Sequence, residues 1–437
     1  MKVSNYNFFF PYEADESKVI AYNSYSNALA LMDKAKYESF QQFVQAGVPL
    51  DDGLVTQLKQ GSFVVDDDVN ELDRLRLRML KSRYNTDFLS LTIAPTADCM
   101  LRCPYCYEKD VINPQYMTPE VEECIIKLVG KHMKTISHLY VTWYGGEPLM
   151  NMDTVERLSR KLISLCDENN VRYGANMISN GYLLNREVVQ LLVDLKIGTV
   201  QVTLDGDEEV HNKRRPHADG SNTFSVIIQN LVDCKDIMPA VSLRINLDKN
   251  NITSGSEVTR LLEEKRLIDK VKPYIARIYH ANDVYEKTSC FDTCGFSNEE
   301  FNYLSEFEDG GYMRHYPKAT KNYCGADSLN SYVIGADGSV YKCWHDIGNL
   351  ARATGSLLSD MDIQERVYLD YMLFDPTVKG NCSQCKLLPV CMGGCPYYRA
   401  DGTGDVCVSH KYVLNGFLKV ISKKLKLKKD LEAEQVS

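Results

Sequence analysis

The chain has 437 residues, 44% apolar and 25% charged, with a formal net charge of -9, the profile of a globular protein with room for two or three domains and a large core. That charge argues against nucleic acid or an anionic membrane surface as the main partner, no apolar run reaches the roughly 18 residues that cross a bilayer, and the short FFFP patch near the amino terminus turns acidic at once, unlike a secretory signal. The expected location is the cytoplasm, where 15 cysteines cannot be a disulfide framework and read instead as metal ligands.

Residues 1–87 open with two strand-like runs, NYNFFFPY and KVIAYNSYSNALALM. Helical stretches around KYESFQQFVQ and GLVTQLKQ follow, then a short strand FVVDD and a helix NELDRLRLRMLKSRY. Paired strands followed by short helices predict a winged-helix-like module. The segment is acidic over much of its length and has no basic recognition helix, so DNA suits it poorly. An exposed strand edge would instead take up an extended peptide as an added strand.

From residue 88 strands and amphipathic helices alternate. The strands read as 88–96, 138–145, 173–180, 197–206, 241–248 and 271–280, and the helices as 119–133, 155–170, 185–195, 224–234 and 256–267. Such alternation predicts a parallel sheet with right-handed crossovers. Polar motifs at the carboxyl ends of successive strands favour an α/β fold of the partial (β/α)6 TIM-like barrel type over a flat doubly wound sheet. The barrel is assigned to 88–310, although the alternation stops after about residue 281. Residues 311–437 form a loop-rich, cysteine-rich domain that needs metal to hold its shape. It closes on a helix, VLNGFLKVISKKLKLKKDLEAEQVS, with a solvated lysine-rich face.

The chemistry concentrates in the run ADCMLRCPYCYE, where Cys99, Cys103 and Cys106 follow the first barrel strand. Active sites of barrel-like α/β folds lie at the carboxyl ends of their strands. Three thiolates can hold a four-iron cluster and leave one iron open for chemistry. The alternative is a zinc or redox cysteine cluster, but a structural zinc site normally takes four protein ligands and no fourth Cys or His follows closely. Cys124, Cys166 and Cys234 fall in helical stretches and read as small buried residues. Cys290 and Cys294 lie in an irregular segment and are unassigned.

The spacing Cys99-x3-Cys103-x2-Cys106, with Tyr105 and Tyr107 around the last cysteine, resembles the cluster motif of the radical S-adenosylmethionine (SAM) enzymes. In that family the open iron is chelated by the methionine amino and carboxylate groups, and an electron from the cluster cleaves the sulfonium to a 5′-deoxyadenosyl radical. The resemblance continues through Gly145-Gly146-Glu147-Pro148 at the end of the second strand, where glycines permit a close backbone approach and Glu147 can compensate the methionine ammonium. Ser179-Asn180-Gly181 and Thr203-Leu204-Asp205-Gly206 end the next two strands, and His211 and Arg215-Pro216 follow. These are similar to the S-x-D-G…H-x-x-x-R-P run of one branch, with Thr203 keeping the hydroxyl of the usual serine. The resemblance implies SAM contacts from Tyr105, Gly145, Gly146, Glu147, Ser179, Thr203, Arg215 and Ile278, with Asn246 as a weaker candidate. Thr203 would bond the ribose, and Arg215 would pair with the methionine carboxylate through its planar fork. Arg214 is its rival for that role.

A second pattern lies in the carboxyl-terminal third: Cys324-x13-Gly338-x4-Cys343, then Cys382-x2-Cys385-x5-Cys391-x3-Cys395, then Cys407. It resembles the SPASM domain, which implies two auxiliary 4Fe-4S clusters beside the SAM-binding one, three in all. Cys382, Cys385, Cys391 and Cys407 would hold one, and Cys324, Cys343 and Cys395 the other. The latter set is one ligand short, so either Cys290 or Cys294 completes it or an iron stays open. Among radical SAM/SPASM proteins the resemblance points to a maturase of a ribosomally made precursor peptide, of the sactipeptide or ranthipeptide type. It would bind the leader through residues 1–87 and form a thioether from a peptide cysteine to a carbon, with a flavodoxin or ferredoxin-like electron donor. Carbon-carbon or other side-chain cross-linking is the alternative. Sulfatase maturation is a third reading. Those enzymes begin almost at the radical motif and carry an acid after the cysteine of Gly-x4-Cys, whereas here a long segment precedes the triad and Trp344-His345 follow Cys343. A non-enzymatic iron-sulfur protein would need neither the Gly145–Pro148 motif nor Arg215.

Overall fold

The computed structural model describes all residues except 281, 283, 308–315, 360–364, 403–405 and 435–437. They gather into two compact units. One comprises Met1–Arg83, Thr293–Cys324 and Phe374–Ser437, the other Tyr84–Asp292 and Gly325–Leu373. The expected stretches 1–87, 88–310 and 311–437 are therefore interleaved rather than consecutive.

In the first unit β1 (Lys2–Val3) pairs with β5 (Val64–Val65), and β2 (Asn7–Pro11), β3 (Lys18–Asn23) and β4 (Ala28–Asp33) form an antiparallel sheet in the order β2-β3-β4. Helices Lys34–Ala46, Asp52–Gln60 and Glu71–Arg83 follow. The run expected as a single strand, KVIAYNSYSNALALM, is a hairpin. It turns where Asn23 accepts from the Tyr25 and Ser26 amides and Asn27 takes a positive φ of 65°, a conformation asparagine tolerates.

This unit has cores made jointly by its first and last segments. Tyr12, Ile20 and Tyr22 pack with Leu387, Leu414 and Leu418, and Tyr6, Leu75 and Met79 with Leu388 and Met392. Arg83, only 1% exposed, donates to Asn322 Oδ1 (3.0 Å) and to the Phe374 carbonyl. Each large apolar side chain so buried contributes about 1.5–3 kcal/mol, and the cysteine-rich segment draws this burial from residues 1–83. The expected terminal helix is His410–Glu434, and it has a buried face. It buries Val413, Leu414, Phe417, Leu418 and Ile421 and meets helix Thr293–Glu306 edge-to-face at Phe417 and Phe301.

The second unit contains all six expected strands: β6 (Phe88–Ile93), β7 (His138–Trp143), β8 (Arg172–Ser179), β9 (Ile197–Thr203), β10 (Ala240–Leu247) and β11 (Val271–Arg277). They are parallel and lie in sequence order, the arrangement of a partial (β/α) barrel. Two of its helices, Arg186–Asp194 and Glu208–Arg214, begin at side-chain caps where Asn185 and Asp207 accept from the Val188 and Val210 amides. Register sorts the sheet's faces: Leu89, Leu91 and Ile93 align with Leu139, Val141 and Trp143, while Thr92 aligns with Thr142 and Asn176. Beyond the sixth strand the sheet grows at its other edge. There β12 (Ser331–Ile334) runs parallel to β6, and β13 (Ser339–Tyr341) and β14 (Gly355–Ser356) extend it to nine strands. These three strands lie in the stretch after residue 281 that is expected to be loop-rich. Among the described residues no helix is long and apolar enough to cross a membrane.

Candidate functional site

The loop of Cys99, Cys103 and Cys106 leaves the carboxyl end of β6 and is fixed from three sides. On the first, the Gly146 and Glu147 amides donate to the Thr96 and Asp98 carbonyls at 3.3 and 2.8 Å. The strands there run so close that a Cβ on Gly146 would lie 2.2 Å from the Asp98 carbonyl oxygen, and one on Gly145, at φ 105°, 2.7 Å from that of Thr96. The glycines thus admit the cysteine loop itself. On the second side Arg102 N donates to the Pro216 carbonyl (2.9 Å) and Ala218 N to that of Met100 (2.7 Å), which brings the Arg215-Pro216 segment against the loop. On the third, Asn282 donates to the carbonyls of Pro104 (3.1 Å) and Cys106 (2.9 Å). Sequence reasoning missed Asn282, which stands in no motif.

Glu147 is fully buried. Its carboxylate accepts from Leu149 N, Ser179 Oγ and Asn180 N, tying the end of β7 to the end of β8. Burial still raises its pKa, against those bonds and the charge of Arg215. Ser179, which also accepts from Gly181 N, is therefore committed to the protein. Thr203, buried at the end of β9, has no hydrogen bond from its hydroxyl among the described residues. Ile278, buried beyond β11, donates its amide to Leu247.

Tyr105 is the hub of a polar network. Its hydroxyl donates to Asp205 and accepts from Arg215 Nη1 (2.9 Å) and Asn246 Nδ2 (3.3 Å). Arg214 stands over its ring, bonded to Asp205 (3.3 Å) and Asp248 (3.1 Å). His211 accepts from the Asp205 amide and reaches Thr223, which donates to the Arg215 carbonyl. Two adjacent arginines are thus distinguished. Arg214 is neutralised by two buried carboxylates, while among the described residues Arg215, 9% exposed, pairs only with Tyr105 and leaves its Nε without a partner. The charge of Arg215 acts on Cys99, Cys103 and Glu147.

The three thiols are half-buried and sense one another electrostatically. Burial pushes Cys99 up to about 12, aided by Glu147, and raises Cys103 and Cys106 as well. A thiolate in such surroundings needs a positive group beside it.

In the other unit Cys382, Cys385, Cys391 and Cys407 share one neighbourhood, since Cys391 senses Cys407 and Cys382, and Cys382 senses Cys385. Burial lifts Cys391 to about 11. The chain turns sharply there through Met392, Gly393 and Gly394, all at positive φ, and a Cβ on Gly394 would strike the Val406 carbonyl. Cys324 and Cys395 belong to that unit and Cys343 to the barrel unit. Cys290 falls in the barrel unit and Cys294 in the other. Cys166 and Cys234 are fully buried as expected, whereas Cys124 is half-buried. Among the described residues no three His, Cys, Asp or Glu side chains are placed to hold a metal ion.

Residues 93–254 match the family model of the Radical SAM superfamily. The chain therefore carries a radical SAM domain over those residues, the domain of an enzyme. It is similar, at 23% identity over 341 residues, to the Cysteine-type anaerobic sulfatase-maturating enzyme of Clostridium perfringens (strain 13 / Type A), the match covering 70% of this chain and 88% of that protein. Among solved structures, native anSMEcpe with bound AdoMet and Cp18Cys peptide superposes with a TM-score of 0.59 at 19% identity, covering 77% of this chain and 99% of that one. Streptococcus suis SuiB bound to precursor peptide SuiA superposes with a TM-score of 0.52 at 13% identity, covering 90% and 95%. At such identities the structural likeness speaks for the fold.

Proposed function

We propose that this chain matures a ribosomally made precursor peptide by joining a peptide cysteine to a carbon as a thioether. The radical part is supported by Cys99, Cys103 and Cys106 on the loop after β6, which sense one another electrostatically, with buried Glu147 and the Nε of Arg215, unpaired among the described residues, at the carboxyl ends of neighbouring strands. These residues fit a four-iron cluster with SAM. Cys99, Cys103 and Cys106 would hold the cluster, Arg215 offers a guanidinium edge to the methionine carboxylate, and Thr203 offers a hydroxyl to the ribose. When bound, cluster and SAM supply the 5′-deoxyadenosyl radical that takes a hydrogen atom from a substrate carbon. Glu147 holds two strand ends together and would compensate the methionine ammonium. The Tyr105–Asp205–Arg214 network fixes the orientation of Arg215.

The peptide part rests on two supports. The similar proteins are named for sulfatase maturation or were solved with a precursor peptide, and β2 and β4 are edges of the antiparallel sheet of the first unit, suited to adding a leader strand. The thioether part rests on spacing. With Cys382, Cys385, Cys391 and Cys407 on one auxiliary cluster, the set Cys324, Cys343 and Cys395 is one cysteine short, and an open iron there suits a substrate thiolate. A flavodoxin or ferredoxin-like donor and a cytoplasmic setting complete the reading. Oxidation of a single Cys or Ser side chain is the second reading, favoured by the name of the Clostridium perfringens relative and opposed by Trp344-His345 after Cys343.

Mass spectrometry of a cysteine-rich peptide encoded in a neighbouring reading frame separates the two. Cross-linking removes one C–H and one S–H hydrogen and leaves the sulfur in place, unreactive to alkylation. Oxidation of a cysteine to an aldehyde removes the sulfur.

A further inference from the structure

The helix Glu71–Arg83 (ELDRLRLRMLKSR) carries five basic and two acidic residues in a chain whose net charge is -9. Its buried side is accounted for by the core it shares with the cysteine-rich segment, where Leu75 and Met79 pack with Leu388 and Met392. With about 3.6 residues per turn, the opposite side presents Leu77 and Leu80, 54% and 37% exposed. Arg74 and Lys81 flank these leucines on one edge. Both are exposed, and among the described residues neither has a carboxylate partner. Arg76 flanks them on the other edge, where its Nε meets Asp375 Oδ2 at 2.9 Å. That ion pair joins the helix to the segment of Lys379, which is also exposed and stands 6.0 Å from the ring centroid of Phe374. Asp73, at the start of the helix, accepts from Asn70 Nδ2 at 2.5 Å. With Asp375 matched by Arg76, the surplus of charge on this face is positive.

The face is backed by the cysteine-rich segment. Cys382 packs against the same core as Leu75 and Met79, so one helix, about 10 Å thick, stands between Leu77 and that core. The segment joined through Asp375 lies equally close: a Cβ on Gly393, between Cys391 and Cys395, would meet Phe374 and Pro376 at 2.8 and 3.1 Å. Exposed leucines rimmed by arginine and lysine have the anatomy of a protein interface, an apolar centre inside a charged border. A phosphate backbone would leave the leucines uncovered, and a chain at -9 repels a polyanion as a whole. An acidic protein meets the same repulsion except where cations are gathered, which gives such a partner one preferred way to approach.

We propose that this face docks a small acidic redox protein, its carboxylates on Arg74, Lys81 and Lys379 and its apolar contact on Leu77 and Leu80. This rests on the radical SAM reading above, which calls for a flavodoxin or ferredoxin-like electron donor, and it names the surface on which that donor sits.

The test is surface plasmon resonance with the full-length reconstituted protein immobilised and two probes, an acidic flavodoxin and an acidic 2Fe-2S ferredoxin. At least one should bind, more weakly as salt rises. Arg74→Glu with Lys81→Glu should weaken that binding at least about tenfold, and Leu77→Ser about threefold with the salt dependence unchanged. Lys131→Glu with Lys265→Glu, at two exposed lysines of the barrel unit, makes the same change in net charge and should leave affinity within about twofold. Should the charge reversal lower the iron content, Leu77→Ser carries the test. Equal weakening by the two charge-reversed pairs overturns this inference, because overall charge alone would then explain it. Failure of both probes to bind the unmodified protein also overturns it. So does binding of a single-stranded DNA of about 20 bases that is lost in the Arg74→Glu, Lys81→Glu variant while probe binding persists, which would assign the face to nucleic acid. 5′-Deoxyadenosine release under a chemical reductant needs no protein donor and should be unchanged in that variant. Its absence from the unmodified protein counts against the radical SAM reading itself, whatever the binding shows.

Discussion

Arg214 and Arg215 are adjacent, and both are nearly or fully enclosed, yet different groups face them. Arg214 meets Asp205 and Asp248, both at zero exposure. Arg214→Ala would leave those two carboxylates buried and unpaired, so thermal or denaturant unfolding should show a loss of about 3–5 kcal/mol. Among the described residues Arg215 bonds only Tyr105, and Arg215→Ala should weaken SAM binding at least about tenfold in equilibrium dialysis with a much smaller stability loss than Arg214→Ala. Equal effects of the two substitutions on SAM binding would remove the distinction. Sequence could name both residues as candidates, because the motif ends in Arg-Arg-Pro. The resemblance favours Arg215 with Arg214 as its rival, but the physical difference between them is not local, since Asp248 reaches Arg214 from beyond a different strand. Gly146 was legible as a close-approach glycine, but the approach is to the Asp98 carbonyl. A methyl there at 2.2 Å has only backbone to displace, so Gly146→Ala should lower iron bound per chain on reconstitution, measured by colorimetric iron assay.

Among elements, the six barrel strands were readable because each is a short β-rich run followed by an amphipathic helix, a pattern contained within a few dozen residues. β12, β13 and β14 were not. SYVI and SVY are too short to show a period, and β12 earns its place only by pairing with β6, far away in sequence. The terminal helix with its lysine-rich face was readable, but its buried face was not, because Phe417 finds its partner Phe301 far away in sequence. Helix Thr293–Glu306, which packs against it, carries Glu300, whose pKa burial raises to about 6. A carboxyl raised above its unfolded value near 4.5 favours the folded state while protonated, and that contribution fades as pH climbs from about 4.5 through 6. Glu300→Gln should therefore be near neutral at pH 4.5 and increasingly stabilising toward pH 7 in thermal melts. A stability difference that is flat across that window would show that the carboxyl is solvated.

At the scale of the molecule, the chain leaves its first unit at Arg83, builds the barrel unit and returns twice. Three consecutive domains were the natural reading of composition alone, because nothing local in Tyr12 or Ile20 announces Leu414 and Leu418 as their neighbours. The consequence is that residues 1–83 cannot be removed as an independent recognition module. Their deletion strips half of two cores from the segment bearing Cys382, Cys385 and Cys391, and iron per chain should fall together with any loss of peptide binding. The cysteine loop, by contrast, is built wholly inside the barrel unit. The most direct measurement is 5′-deoxyadenosine release by the reconstituted, reduced protein given SAM and a cysteine-rich precursor peptide. The account predicts release that depends on Cys99, Cys103 and Cys106, together with a peptide lighter by two hydrogens per cross-link and resistant to thiol alkylation. No 5′-deoxyadenosine under strong reduction, or a peptide that has lost its sulfur, would contradict it.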